Sequence, residues 1–337
     1  MADDLGEIAR RLVAKPRGIL AADENLPTIA KRFEGVGVEN TEENRRAYRE
    51  MLLTAPGLNG YISGMILFDE TLYQETAEGR PFVEVLNEQG IIPIIKVDKG
   101  TKDSRYAPGE KETEGLVGLH KRLENYRNQG ARAAKWRAVF SIDEGKFLPT
   151  EKAISLNAQG LANYAEICQK YGLVPIVEPE VLMDGPHSLE TCFDVTNVVL
   201  YEVFNALEKH GIKYHGMLLK PNMVVPGKDH PHKNGASEVA ERTTEVLQAN
   251  VPKDVPGIAF LSGGLSDKDA TIYLNAMNLP DSAVEVPWNL TFSFGRALLR
   301  EALALFAKGP EYFSKAQEAL LRRAQETSLA TQGLYKA

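Results

Sequence analysis

Three lysines stand in strand-like apolar surroundings: Lys96 in "IIPIIKVD", Lys135 in "RAAKWRAVF" and Lys220 in "GMLLKPNMVV". Lysine is almost never fully buried unless it is paired, so three such positions suggest a pocket that uses amines. An amine attacks a ketone only when unprotonated, and an ordinary lysine, with a pKa of about 10.4, is neutral roughly one time in a thousand at pH 7. Desolvation and a second nearby cation both favour the neutral form. Lys220, inside its apolar run and sharing a mouth with Lys135, is expected to meet both conditions and to act as an imine-forming nucleophile. The competing reading is a structural ion pair with Glu178 or Glu180.

Those two glutamates lie two apart in "VPIVEPE", so they share one strand face. Close carboxylates repel, and one of them can hold a proton near neutral pH. Imine formation needs such an acid, because water must leave the carbinolamine. Asp23, closing "GILAAD", suits a base for a substrate hydroxyl, or alternatively a helix or turn cap. A second chemistry is written in "LSGG" (Ser262, Gly263) and "SFGRAL" (Ser293, Gly295, Arg296). Glycines admit an anion to backbone N–H groups, a helix N-terminus adds a favourable dipole, and arginine supplies a charged fork. In isolation the same glycines could simply make tight turns.

These residues need a frame that brings them together. Short apolar segments recur at 18–23, 61–68, 90–98, 133–140, 172–180, 216–223, 257–264 and 289–295, and their near-continuous hydrophobicity suits parallel strands covered on both faces. Helical patterns lie between them. Asn40 with Glu43, and Ser266 with Asp269, read as N-terminal capping pairs; Ile154, Leu161, Ala165 and Cys168 form a stripe that Gly172 ends. Eight such units predict an α/β fold of the (β/α)8 TIM-barrel type: one domain over 1–337 with its barrel core at about 18–300. Leu5, Ile8, Ala9, Leu12 and Val13 have helical spacing, so a helix should precede the barrel, and a helical extension should follow at about 310–330. Pro93 and Pro175 run against this reading locally, because proline removes a ladder donor. In such a barrel the active residues belong at the carboxyl ends of the strands, where Asp23, Lys96 with Asp98, Lys135 with Arg137, Glu178 with Glu180, Lys220, Ser262 and Ser293 all fall.

Composition narrows the function. The 337 residues are 43% hydrophobic and carry a net charge of −7, which disfavours a general nucleic-acid binder. Two cysteines without metal-type spacing, Cys168 and Cys192, fit a reducing cytoplasmic compartment. The N-terminus lacks a secretory apolar region, and no run approaches the length of a membrane span. Of six histidines, His230 and His232 form the one close pair, in a polar loop.

Taken together, "GILAADE", "ENTEENRR", "ILFDETLYQ", "IKVDKG", "AKWR", "VPIVEPE", "LLKPNM", "FLSGG" and "LTFSFGRAL" resemble the class I fructose-1,6-bisphosphate aldolases, in order along nearly the whole chain. The resemblance implies a lyase of glycolysis and gluconeogenesis that needs no metal and no cofactor. It would reversibly cleave fructose 1,6-bisphosphate to dihydroxyacetone phosphate and glyceraldehyde 3-phosphate through a lysine Schiff base. It implies Lys220 as the imine lysine, Glu178 as its acid, Glu180 as the neighbour that tunes it, and Asp23 as the group taking the hydroxyl proton. Lys135 and Arg137 would line the reacting hydroxyls and substrate oxygens. Ser262, Gly263, Ser293, Gly295 and Arg296 would hold the ketone-side phosphate, and Arg32 with Lys96 the distal one. Its partners would be sugar phosphates and copies of itself, as a tetramer or dimer, with no nucleic acid and no membrane. Two departures stand out. Family members often read "ADESTGS" where this chain reads "ADENLPT", leaving Thr28 as the hydroxyl for the distal phosphate. The chain ends in "TQGLYKA", so Tyr335 does not match the tail tyrosine of the animal enzymes, and another group or a water is expected to exchange the enamine proton. Alternatives are another lysine-imine aldolase for a related sugar phosphate such as sedoheptulose 1,7-bisphosphate, or a barrel with an added binding role.

Overall fold

The computed structural model describes residues 4–280 and 286–336. Its strands are β1 (Gly18–Ala22), β2 (Ile62–Leu67), β3 (Ile92–Lys96), β4 (Thr101–Asp103), β5 (Lys111–Thr113), β6 (Ala133–Phe140), β7 (Val174–Val181), β8 (Leu218–Leu219), β9 (Gly257–Phe260) and β10 (Asn289–Phe294). Eight of them close a parallel barrel in the order β1-β10-β9-β8-β7-β6-β3-β2, while β4 and β5 form an antiparallel hairpin apart from it. All eight apolar segments singled out in the sequence are barrel strands. Helices lie between successive strands around this barrel, giving the (β/α)8 architecture.

The pleat decides what faces inward. Ile19, Ala21, Ile92, Ile94, Ala133, Val174, Ile176, Leu218 and Ala259 pack as one buried cluster with Ile8, Ala9 and Leu12 of the helix Leu5–Leu12. That helix therefore forms the floor of the barrel, and each fully buried aliphatic side chain there contributes roughly 1.5–3 kcal/mol. The fit is close: a Cβ on Gly64 would stand 2.5 Å from Leu12 Cδ2 and 2.8 Å from Ile94 Cδ1. Continuing the same alternation toward the strands' carboxyl ends gives Asp23, Lys96, Lys135, Glu178 and Lys220. One set of pleats thus carries apolar residues below and charged residues above.

The two prolines are tolerated for a local reason. In a parallel ladder a residue's N–H and C=O point to the same neighbour. The Pro93 carbonyl accepts from Arg132 N just before β6 begins, so its missing donor faces a place where no ladder bond is due. Pro175 likewise precedes the β7–β8 pairing, which starts at Ile176 and Leu218.

Local differences from the sequence reading are small. Thr41, not Asn40, caps the helix Glu42–Leu53, with Oγ1 accepting from Asn44 N at 3.1 Å; the Asn40 side chain accepts from Arg45 instead. Ser266 caps the helix Asp267–Met277 as expected, and Gly172, at φ 72°, follows the helix Glu151–Lys170. The hairpin β4–β5 was not legible, because its strands are polar, exposed or half-buried, and have no apolar alternation. The expected C-terminal extension is a short 3-10 turn followed by the helix Phe313–Ala330, which packs on the helix Arg296–Phe306.

Candidate active site

The mouth of the barrel is organised around Lys135. Its buried Nζ lies 2.9 Å from Asp23 Oδ2, 3.0 Å from Glu178 Oε2 and 3.8 Å from Asp98 Oδ2. The contact with Glu178 is an ion pair without hydrogen-bond geometry, so that carboxylate oxygen keeps its acceptor capacity free. Lys220, from the end of β8, reaches the other oxygen of the same carboxylate, Oε1, at 3.0 Å. Its backbone N–H donates to Val177 O at 2.8 Å, which fixes where the side chain enters the barrel. Three neighbouring strands, β6, β7 and β8, therefore join two amines to one shared carboxylate, and Asp23 reaches Lys135 from β1 across the mouth. Glu180 is engaged elsewhere: Arg137 Nε donates to its Oε2 at 2.5 Å.

Charge states follow from this packing. Burial opposes the charge on Lys135, but Asp23, Glu178 and Asp98 outweigh it and raise its pKa above the ordinary lysine value. Burial would push Asp23 and Glu178 up, yet Lys135 and Lys220 more than compensate and hold both well inside the ionised range at neutral pH. The sequence suggested that repulsion from Glu180 would keep a proton on Glu178. In the resting site the two amines determine the outcome instead, and Glu178 is a carboxylate.

A second cluster lies at the turns after β9 and β10. Ser262 is buried, and Gly263 and Gly264 take φ values of 52° and 100°, a left-handed backbone that glycine adopts freely. A Cβ on Gly264 would come within 3.6 Å of an Arg296 guanidinium nitrogen, so Arg296 reaches across to this turn. Gly295 is the N-cap of the helix Arg296–Phe306 and offers no side-chain cap to its first N–H groups. Ser293 Oγ is buried and has no hydrogen-bond partner among the described residues. Uncapped N–H groups, a free hydroxyl and an arginine are the kinds of donor from which an anion site is built.

The proposed distal residues are more scattered. A cavity of about 640 Å³ opens beside Lys96, with Asn25, Leu26, Asp98, Lys99 and Arg122 on its wall. Lys96 Nζ is held on Asp98, through its carboxylate and through its carbonyl oxygen at 2.9 Å. Burial and the neighbouring Lys135 lower the Lys96 pKa, with Asp98 opposing them. Arg32 is not on this wall. It pairs with Glu24, which Arg49 also holds at 2.7 Å, and burial pulls its guanidinium down to about 10, with Arg296 and Arg49 adding to the effect. Thr28 sits exposed on the first helical turn, its N–H capped by Asn25, and is likewise off the cavity wall. The sequence reading left Asp98, Glu24 and Arg49 without a role in the site. For Asp98 the signal was present: it follows Lys96 by two and shares its pleat.

Among the described residues no group of three or more histidines, cysteines and acids stands in a metal-binding arrangement. His230 Nδ1 contacts the backbone carbonyl of His232 at 2.9 Å. Tyr335 packs against the core and its N–H donates to Asn275. No described helix is long and apolar enough to cross a membrane.

Comparison with known proteins decides among the barrels that could carry such a mouth. The family model for class I fructose-bisphosphate aldolase matches residues 4–337. The chain belongs to the class I fructose-bisphosphate aldolases. It is 50% identical over 335 residues to a probable class 1 fructose-bisphosphate aldolase of Xanthomonas campestris, covering 99% of each chain. It is 52% identical over 334 residues to a cytosolic fructose-bisphosphate aldolase of Arabidopsis thaliana, covering 99% of this chain and 92% of that one. Its fold matches the Plasmodium falciparum aldolase crystallised with TRAP and a small-molecule inhibitor. The TM-score there is 0.97 at 48% identity, over 100% of this chain and 96% of the other. The enzyme is thus a metal-independent aldolase that cleaves fructose 1,6-bisphosphate reversibly, in keeping with the glycolytic role of its family.

Proposed function

We propose that Lys220 forms the Schiff base and that Glu178 handles its proton. The ion pair that could have been merely structural is the starting state of the reaction. Passing one proton from Lys220 to Glu178 creates a neutral amine and a carboxylic acid at once. The amine adds to the substrate ketone. The acid then protonates the carbinolamine hydroxyl, which leaves as water and yields a protonated imine.

Asp23 takes the proton of the substrate hydroxyl next to the breaking bond. The carbon–carbon bonding pair flows into the imine, giving an enamine and releasing the aldehyde. The enamine takes up a proton, and hydrolysis of the imine restores Lys220. Lys135 stays charged throughout, holding Asp23 and Glu178 in register and offering its ammonium to substrate oxygens. Glu180 and Arg137 buttress each other at the rim. The turn at Ser262 and Gly263, with Ser293, Gly295 and Arg296, receives the ketone-side phosphate, and Arg32, expected at the distal phosphate but close enough to Arg296 to feel its charge, flanks this one instead. Lys96, on the cavity beside Lys99 and Arg122, receives the distal phosphate.

The observation that supports this reading is the shared carboxylate: two amines on opposite oxygens of Glu178, each at 3.0 Å, with Asp23 on one of them. Borohydride trapping separates the roles. Glu178→Gln should slow capture of the ketone phosphate on Lys220 by about 10²–10⁴, the usual worth of a positioned acid. Asp23→Asn should leave capture fast and block carbon–carbon cleavage. Equal slowing of both steps in both variants would contradict the assignment. We also infer one catalytic domain over 1–337 and a homo-oligomer in the cytoplasm. Sedimentation and fractionation test the last two. Steady-state comparison with a seven-carbon bisphosphate measures substrate range.

A further inference from the structure

The resting site contains a buried carboxylate that the steps above do not use. Asp98 touches both ends of the mouth. Oδ1 accepts from Lys96 Nζ and from Gly100 N at 3.1 Å, and Oδ2 accepts from Arg137 N at 3.3 Å and stands 3.8 Å from Lys135 Nζ. It lies on the wall of the cavity beside Lys96, whereas Lys135, Lys220 and Glu178 do not. The two backbone bonds hold the carboxylate in place whichever amine it serves.

We propose that Asp98 is a positioning residue that couples occupancy of the distal phosphate position to the chemistry at Lys135; the inference rests on the assignment of Lys96 to that phosphate. A phosphate dianion in the cavity competes with Asp98 for the Lys96 ammonium. Once Lys96 turns to the phosphate, the ammonium left paired with Asp98 is Lys135, with the Arg137 guanidinium acting from farther off. Lys135 is then shared among three carboxylates with less neutralisation on the Asp98 side, and it is drawn from Asp23. Asp23 loses part of the field that holds its pKa down and becomes a stronger base. The distal phosphate thereby speeds bond cleavage at a distance, instead of only tightening binding. The charged groups facing Asp98 are Lys96 and Lys135 directly and the Arg137 guanidinium from farther off; those acting on Asp23 are Lys135, Lys220 and Lys96, with Arg32, Arg49 and Glu178 beyond them.

The test compares fructose 1,6-bisphosphate with fructose 1-phosphate, which lacks the distal group. In Asp98→Asn the ratio of their kcat values should fall by about fivefold or more, the lower range of ordinary coupling between sites. Lys96→Met should lower the same ratio, and adding Asp98→Asn to it should lower the ratio no further. Equal loss of kcat on both substrates in Asp98→Asn would reduce Asp98 to a structural role and overturn the coupling. The unmodified enzyme gives an independent readout should that variant fail to fold. The acid limb of its kcat–pH profile should lie at higher pH with the bisphosphate than with the monophosphate, and coincident limbs would also overturn the proposal. Capture of the ketone phosphate on Lys220, measured alongside, reports separately whether the Schiff-base assignment itself holds.

Discussion

The floor and the mouth of this barrel are built from the same strands and the same pleats, yet they follow opposite rules. The floor joins Ile19, Ile94, Ile176 and Leu218 to the N-terminal helix and contains hydrocarbon packing. One or two pleats higher, the inward positions are Asp23, Lys96, Lys135, Glu178 and Lys220, buried or half-buried and paired with one another and with Asp98. Burying an ion pair is weak evidence for stability, because desolvation offsets attraction, whereas breaking the pair by removing one partner is costly. The floor thus stabilises the fold, and the mouth relies on that stability to keep its charges in a geometry suited to moving a proton.

Removing the central cation is expected to have the largest combined effect. Lys135→Met would leave Asp23 and Glu178 buried without their main partner, costing about 3–5 kcal/mol. It should also lower kcat by about 10²–10³, the usual worth of one preorganised charged donor in a site. Urea unfolding and steady-state kinetics measure both, and a stable, active Lys135→Met would remove the distinction between floor and mouth. The floor should respond differently. Ile19→Ala, at a fully buried position, is expected to cost about 2–5 kcal/mol, while kcat per folded molecule stays within about threefold, less than about 1 kcal/mol.

The pH dependence of stability sharpens the same contrast. Asp23 and Glu178 have depressed pKa values in the fold, so their contribution is present above the unfolded carboxylate value of about 4 and is lost as pH falls toward the folded values. Lys135 has a raised pKa, so its contribution is present below about 10.4 and is lost as pH rises through the folded value. Stability should therefore hold from roughly pH 5 to pH 10 and decline on the acid side, with a shallower acid decline in Lys135→Met. The smallest effect is expected at Thr28. It is exposed and off the cavity wall, so Thr28→Ala should change stability by no more than about 0.5 kcal/mol and leave KM for the bisphosphate nearly unchanged. A large rise in KM would return Thr28 to the distal phosphate.

The floor was almost fully legible in the sequence. Continuous β-branched runs separated by capped helices leave few alternatives to a parallel barrel, and the spacing of Leu5, Ile8, Ala9 and Leu12 already marked an apolar helix face. The mouth was legible in membership but not in pairing. Charged residues at strand ends, two apart, identify which side chains point inward. They do not say which amine meets which acid, because that depends on strand order and register around the closed barrel. Hence Glu178 was expected to be governed by Glu180, two residues away, when its nearest charges are Lys135 and Lys220 from the strands on either side. The distal region was least legible. Its wall combines the turn after β1, the helix Leu119–Asn128 and the segment after β3, and the hairpin β4–β5 that follows has no apolar pattern to announce it.

The chemistry proposed for the mouth rests on the amine of Lys220 as the group that bonds covalently to substrate. Borohydride reduction in the presence of dihydroxyacetone phosphate, followed by peptide mass mapping, tests that most directly. One adduct, on Lys220 and absent from Lys220→Ala, is the expected result. Retained turnover with no adduct, or an adduct on Lys135 or Lys96 in place of Lys220, would contradict it.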